Sequence, residues 1–408
     1  MEDKTRIKNK NGFWGLIKNF ALRITSAFLS TGVRQFVILP VLARLFSDTV
    51  YGTILTINSV ANITEVSLGN TLNNTRLITR NNYEETGTQG DFKFFLWGAC
   101  GIGTLSAIVL PFVFPGFGVL TEILVWLTIV VGIQNAYYLF YYVMTLRFDR
   151  MMIQSVIVAV GTLIGAGITW LTHLWPCPFL LGNLLALVYI YKTAPPMRER
   201  FGWTKLASST GIKWAILIAT SLLSNALVYL DRLLLYPVLG GASVAIYTTA
   251  SFFGKCIAAI MPPVANVLLG YFVQRDFQIT RKKYLMISGA SMGFGGLCFV
   301  ASLPIAPWIT HLMYPTLFES AAPLLVIANL ASIISASATL SQTMILRYCK
   351  TSRLLVIQII YGVVYLGGGL LSLSKYGISG FCYAVVAANT VKLIAMFGVG
   401  LYSIQREA

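Results

Sequence analysis

Four charged side chains, Arg34, Glu65, Lys255 and Lys392, stand inside stretches of this sequence that are otherwise apolar. A charge at the centre of a bilayer costs roughly 2.5 to 3.5 kcal/mol on insertion scales, so four unpaired ones would cost on the order of 10 kcal/mol. Groups of that kind are kept when they face a wet cavity or one another. Arg34 and Lys255 lie about 13 and 14 residues from matching ends of their stretches, which at 1.5 Å per residue puts both roughly 20 Å deep. Two cations at one level, looking into a common cavity, would attract an anionic group such as a phosphate, Arg offering a planar fork and Lys a point charge. Lys392 is a third candidate for the same work. The alternative is that each cation is paired with a carboxylate for stability. Arg23, Asp231 and Arg232 stand nearer predicted helix ends, where snorkelling to the headgroups is the bland alternative to an interior role.

Polar residues repeat beside these charges. Asn58, Asn62, Glu65 and Gly69 recur at spacings of four, three and four. At 100° per residue they share one narrow face of a helix, suited to a hydroxyl-rich ligand, a proton relay or helix-to-helix hydrogen bonding. Gln134, Tyr138 and Tyr141 share another face, beside Tyr137 and Tyr142; rings with polar tips can pack against sugars or anchor at an interface. Ser332, Ser335 and Thr339 read as a close-packing stripe, and Pro262 with Pro263 should bend their helix.

The elements that must position these residues follow from composition. Of 408 residues 56% are hydrophobic and 11% charged, with mean hydropathy +0.74, whereas a soluble domain carries roughly 25% charged residues. Uncharged runs such as 94–114 and 354–373 are long enough to cross a hydrocarbon core of about 30 Å as helices. The alternation of a transmembrane β-barrel is absent. The fold class is therefore all-α, a polytopic membrane protein of about twelve spans. The pattern predicts spans at 21–45, 50–72, 94–114, 119–143, 152–172, 177–192, 212–235, 244–269, 285–308, 321–346, 354–373 and 377–402. Around them lie an amphipathic cytoplasmic N-terminus, 1–20, without a signal-peptide cleavage pattern, and a tail, 403–408. The connection 193–211 divides an N-lobe, 21–192, from a C-lobe, 212–402. With both ends inside, the external loops hold only Arg44 and Lys375 among the basic residues, as the positive-inside rule requires.

The same charge distribution excludes other classes. The net charge of +16 is divided among short loops, so it does not make a nucleic-acid surface. No G-x-x-x-x-G-K-[ST] run is present, so the chain has no ATPase site of its own. His173 and His311 lie near outer ends without a companion ligand, which argues against a metal, and no cofactor motif is found. Cys100, Cys177, Cys256, Cys298, Cys349 and Cys382 are scattered in apolar runs and read as buried thiols, not disulfides.

The order of features resembles a known group. Leu42-Ala43-Arg44-Leu45 followed by Tyr51-Gly52, Ser67-Leu68-Gly69, Asp231-Arg232-Leu233-Leu234 followed by Ala245-Ile246-Tyr247, Tyr348-Cys349-Lys350 and Tyr376-Gly377-Ile378-Ser379-Gly380 are similar to the polysaccharide transport family. That family holds the Wzx-type O-antigen and capsule repeat-unit flippases of the multidrug/oligosaccharidyl-lipid/polysaccharide exporter superfamily, and the likeness runs over essentially the whole chain. It implies two six-helix lobes in a MATE-like V and a bacterial inner-membrane location. It implies also that undecaprenyl-pyrophosphate-linked oligosaccharide is moved between leaflets for lipopolysaccharide or capsule synthesis, with a polymerase and a chain-length regulator as partners. At residue level only a cation-lined cavity carries over, matched here by Arg34 and Lys255; on their own spacing and depth, Lys392 is taken to assist and Asn58, Asn62, Gln134, Tyr138 and Tyr141 to line the glycan cavity. For ion coupling, Glu65 and Asp231 are candidates on burial alone.

Two rivals remain at this point. A drug/cation antiporter of the same superfamily would want a carboxylate-rich cavity, and the surplus of intramembrane Arg and Lys speaks against it. A membrane-embedded polymerase or glycosyltransferase would want a sizeable external loop, which the connections of about four to twelve residues do not provide.

Overall fold

The computed structural model describes residues 25–26, 28–29, 31–86, 91–145, 147–194, 199, 201–272, 280–348 and 351–407. The expected amphipathic N-terminus 1–20 lies outside them. Helix α1 comprises the π turn Arg34–Ile38 and Leu39–Leu45; α2 runs through Asp48–Glu65, the π turn Val66–Asn70 and Thr71–Thr86. Then come α3, Asp91–Val113; α4, Val119–Tyr138, continued as Phe140–Met144; α5, Phe148–Thr172; and α6, Cys177–Thr193. Helix α7 is Ala207–Val228, broken at Tyr229 and resumed as Leu230–Leu239, and α8 is Gly241–Ala250 with Phe252–Phe272. Helix α9 is Arg281–Met313, and α10 runs from Pro315–Ala321 into Leu325–Tyr348. The stretch Thr351–Glu407 is divided at Gly377, whose φ of 63° and ψ of −149° are non-helical, into α11 before it and α12 after it. Glycine bears that positive φ without strain, which places the turn there.

Seven of the described helices are long and apolar enough to cross a membrane unaided, eight with the bent pair of α8. The remaining expected spans fall short for specific reasons. Helix α6 has 17 residues, α1 begins near residues outside the description, and α2 is made polar by its own asparagines. The stretch Arg353–Tyr402 is 50 residues long, about 75 Å of helix at 1.5 Å per residue, so it crosses twice and turns at Gly377.

Side-chain contacts sort the loops onto two ends. At one end Arg76 pairs with Glu199, Lys93 Nζ donates to the Glu199 carbonyl (2.7 Å) and the Thr204 amide donates to Asp91 (2.6 Å). This is the linker end. At the far end Arg44 donates to the Leu312 carbonyl (2.7 Å), Phe46 meets His173, and Phe117 meets Trp175. Successive helices therefore run back and forth between the two ends, as expected of a chain that threads a bilayer.

Helices α2 to α6 pack on one another, with α5 against α6 and α4 against α2, α3 and α6; α8, α9, α11 and α12 pack around α10. The two groups meet along α2. At the far end a Cβ on Gly52 would stand 1.7 Å from the Gly241 carbonyl oxygen, so the backbones of α2 and α8 touch directly. The residues Ala207–Val228 of α7, expected to sit with the second lobe, pack chiefly on α2. Trp214 Nε1 donates to Thr71 Oγ1 (3.1 Å), and the Tyr83 and Thr210 hydroxyls are 3.0 Å apart.

Several expected boundaries shift. Helix α2 continues fourteen residues past 72, because Leu72, Thr75, Thr79 and Tyr83 keep one buried face on the neighbouring helices. The 67° bend in α8 falls at Ser251, not at Pro262 and Pro263, through which helix continues. Ser251 Oγ bonds the Tyr247 carbonyl (2.8 Å), and the Gly254 amide at the break is taken by Asn329 Oδ1 (2.7 Å). A break tolerated at this depth needs such a replacement acceptor.

Candidate functional site

Arg34 opens the π turn of α1, an irregularity often found at functional sites. Its Nη1 donates to Asn62 Oδ1 (2.9 Å), and its guanidinium carbon lies 5.5 Å from the centre of the Phe179 ring on α6. Asn62 is aimed by its own Nδ2, which bonds the Asn58 carbonyl one turn back (2.6 Å). The polar face read from the spacing of Asn58, Asn62 and Glu65 thus exists, and it meets Arg34. Glu65 feels the Arg34 charge, yet among the described residues its carboxylate has no hydrogen-bond or ion-pair partner. It lies against the backbone of α4 at Gly132, where a Cβ would stand 2.2 Å from Glu65 Cδ.

Lys255, in α8 just beyond the bend, forms an ion pair with Asp231 of α7 and lies 5.2 Å from the Tyr247 ring centre. Asp231 also accepts from the Arg232 amide (2.9 Å). Arg232 reaches across to α2, where Nη1 donates to Ser59 Oγ (2.8 Å) and the Leu55 carbonyl (3.2 Å). The snorkelling account of Asp231 and Arg232 is corrected here: they are 5% and 9% exposed, held in the interior by the break at Tyr229. The alternative of a paired cation holds for Lys255. Arg34 is held by a neutral amide instead, so the two cations differ in what must be displaced before either meets an anion. No contact joins Arg34 to Lys255 among the described residues, though their helices touch through Phe36 and Phe252, ring centres 5.7 Å apart.

Lys392 of α12 sits 4.9 Å from the Tyr361 ring centre. Gln134 is half-buried and neighbours Cys100. Tyr138 is 4% exposed against Tyr137 (4.9 Å), which makes it a packing group in this conformation, while Tyr141 is half-buried beside Tyr142.

Two residues escaped the sequence reading. Arg232 was assigned to a helix end. Arg76, which falls between the expected spans 50–72 and 94–114, stands in α2, where it bonds the Tyr137 hydroxyl (2.6 Å), covers the Phe140 ring (4.1 Å) and pairs with Glu199. The continued apolar spacing after residue 72 is the signal that would have placed Arg76 on a helix.

Between the two ends, leaving aside Asp91 and the Arg76–Glu199 pair at the linker end, Arg34, Arg232, Lys255 and Lys392 stand against Glu65 and Asp231, an excess of two positive charges divided between both helix groups. An interior with that surplus favours an anion.

No family model and no curated protein matches the sequence. Solved structures do match in fold. A MATE-family multidrug resistance transporter in its inward-facing conformation superposes with a TM-score of 0.68 at 14% identity, over 94% of this chain and 95% of that one. The lipid II flippase MurJ, inward closed, gives 0.69 at 14% identity over 96% and 90%. An outward-facing MATE-family multidrug transporter gives 0.63 at 12% identity over 95% and 96%. The chain has the fold of these membrane transporters. In this chain the backbones of α2 and α8 meet at the far end, at Gly52 and Gly241.

Proposed function

We propose that this protein is a flippase that carries an oligosaccharide linked to undecaprenyl pyrophosphate across the bacterial inner membrane by alternating access, its linker end cytoplasmic. The observation that carries this reading is the interior surplus of cations set on both helix groups of a transporter fold. Arg34 is the first anion ligand, because exchanging its neutral Asn62 partner for a pyrophosphate oxygen leaves no carboxylate stranded. Lys255 joins when the substrate or a proton relieves Asp231, and Lys392 stands by on α12. Glu65, unpartnered beside Arg34, is the carboxylate placed to take up a coupling proton. The fold family includes a lipid II flippase, and the sugar-lipid reading is in keeping with it.

The test is complementation in a strain that makes surface polysaccharide. Arg34→Ala, and Lys255→Ala combined with Asp231→Asn so that no carboxylate is stranded, should abolish the polysaccharide at unchanged protein level, with single repeat units building up on the cytoplasmic leaflet. Normal polysaccharide in both variants would end the assignment. The multidrug transporters among the fold neighbours keep an antiporter as the second reading. A broad change in drug susceptibility with intact glycan would select it.

A further inference from the structure

Between the far ends of α3 and α4 lies a narrow, half-open pocket, away from the charged groups described above; the space in and in front of it is about 300 Å³, part of it open to the outside. Phe114, Phe117, Val125 and Trp175 form its walls, and Thr121 and Glu122 contribute its polar atoms. Phe117 and Trp175 meet edge to face, ring centres 5.9 Å apart. Phe114, Thr121 and Val125 are each under a tenth exposed, so the space admits a slim group and not a fused ring system.

Two polar groups here have no partner among the described residues. Trp175 is 3% exposed and its indole N–H meets no acceptor among the described residues. A buried donor left in that condition is costly unless something else supplies the acceptor. The Glu122 carboxylate likewise has no hydrogen-bond or ion-pair partner among the described residues. It sits in the first turn of α4, where the helix dipole favours negative charge. Aromatic faces with a carboxylate attract an ammonium ion, and an N–H donor attracts an anionic oxygen. The rim is apolar and exposed at Phe112, Val113, Val119 and Leu120, the surface expected to meet acyl chains.

We propose that this pocket binds the headgroup of a phospholipid carrying both an ammonium and a phosphodiester, in the leaflet at the far end. The ammonium lies between Glu122 and the rings of Phe117 and Trp175. The phosphodiester takes the Trp175 N–H, and the acyl chains follow the exposed face of α3 and α4.

Native mass spectrometry of the full chain, purified and delipidated, tests this with lipids of matched acyl chains. Phosphatidylethanolamine should bind about tenfold more tightly than phosphatidylglycerol and than N-acetyl phosphatidylethanolamine, which keeps the phosphodiester but lacks the charge. Glu122→Gln should level the three lipids, and Trp175→Phe should weaken all of them without altering their order. Equal binding of the three lipids to the unaltered protein overturns the proposal and needs no variant to fold. A preference that survives Glu122→Gln overturns it too. Since Arg34 and Lys255 lie outside the pocket, the lipid preference stands or falls apart from the flippase reading.

Discussion

Glu65 and Asp231 are interior carboxylates placed very differently by their neighbours. Asp231 is fixed by Lys255 and by the Arg232 amide, whereas Glu65 depends on the bare backbone of Gly132 for room. Gly132→Ala should displace the Glu65 carboxyl and cut surface polysaccharide severalfold at normal protein level, and Glu65→Asp in the same chain should restore part of it. Lys255→Met alone leaves a buried charge and should destabilise the fold by about 3 to 5 kcal/mol, the usual cost of halving a buried pair. Asp231→Asn with Lys255→Met should recover most of that loss, read as the midpoint of thermal unfolding. At this scale the sequence disclosed which residues were out of place. It did not disclose their partners: the helical repeat aligns Asn58, Asn62 and Glu65 on one face, but nothing in it sets the register of α1 against α2. Asp231 and Lys255 are 24 residues apart across two breaks, beyond the reach of any local periodicity.

Helix α8 shows how an element can be read correctly and bent in the wrong place. Its prolines sit in helix, because a proline can be carried where a neighbouring group donates to the freed carbonyl, while Ser251 supplies the break through its hydroxyl. The signal for that lies on α10, at Asn329, which is why local sequence could not show it. Asn329→Leu removes the acceptor for the Gly254 amide and should cost about 1 to 3 kcal/mol, measured by thermal unfolding. The spans themselves were legible from apolar length, and α2 was misjudged only because its polar continuation resembles a loop in hydropathy.

For the whole molecule, composition and loop charge were enough for the fold class and the approximate count of crossings, since both follow from what a hydrocarbon layer tolerates. The docking of α7 on α2 was not legible, because it depends on hydroxyl and indole contacts such as Trp214 with Thr71 and not on hydropathy. On the proposed alternating-access cycle, rocking one helix group against the other would part Gly52 from Gly241. Gly52→Ala, whose Cβ would stand 1.7 Å from the Gly241 carbonyl oxygen, should keep this end from closing and stop export at normal protein level; export at the unaltered rate would show that the contact is not part of the cycle. At that contact the two glycines bring no side chains of their own, and the only side chain among the atoms nearest a Cβ on Gly241 is the short Thr53. Closing it orders few rotamers and opening it frees few. A joint of bare backbone can be remade on every cycle without the conformational penalty that interleaved side chains would impose each time.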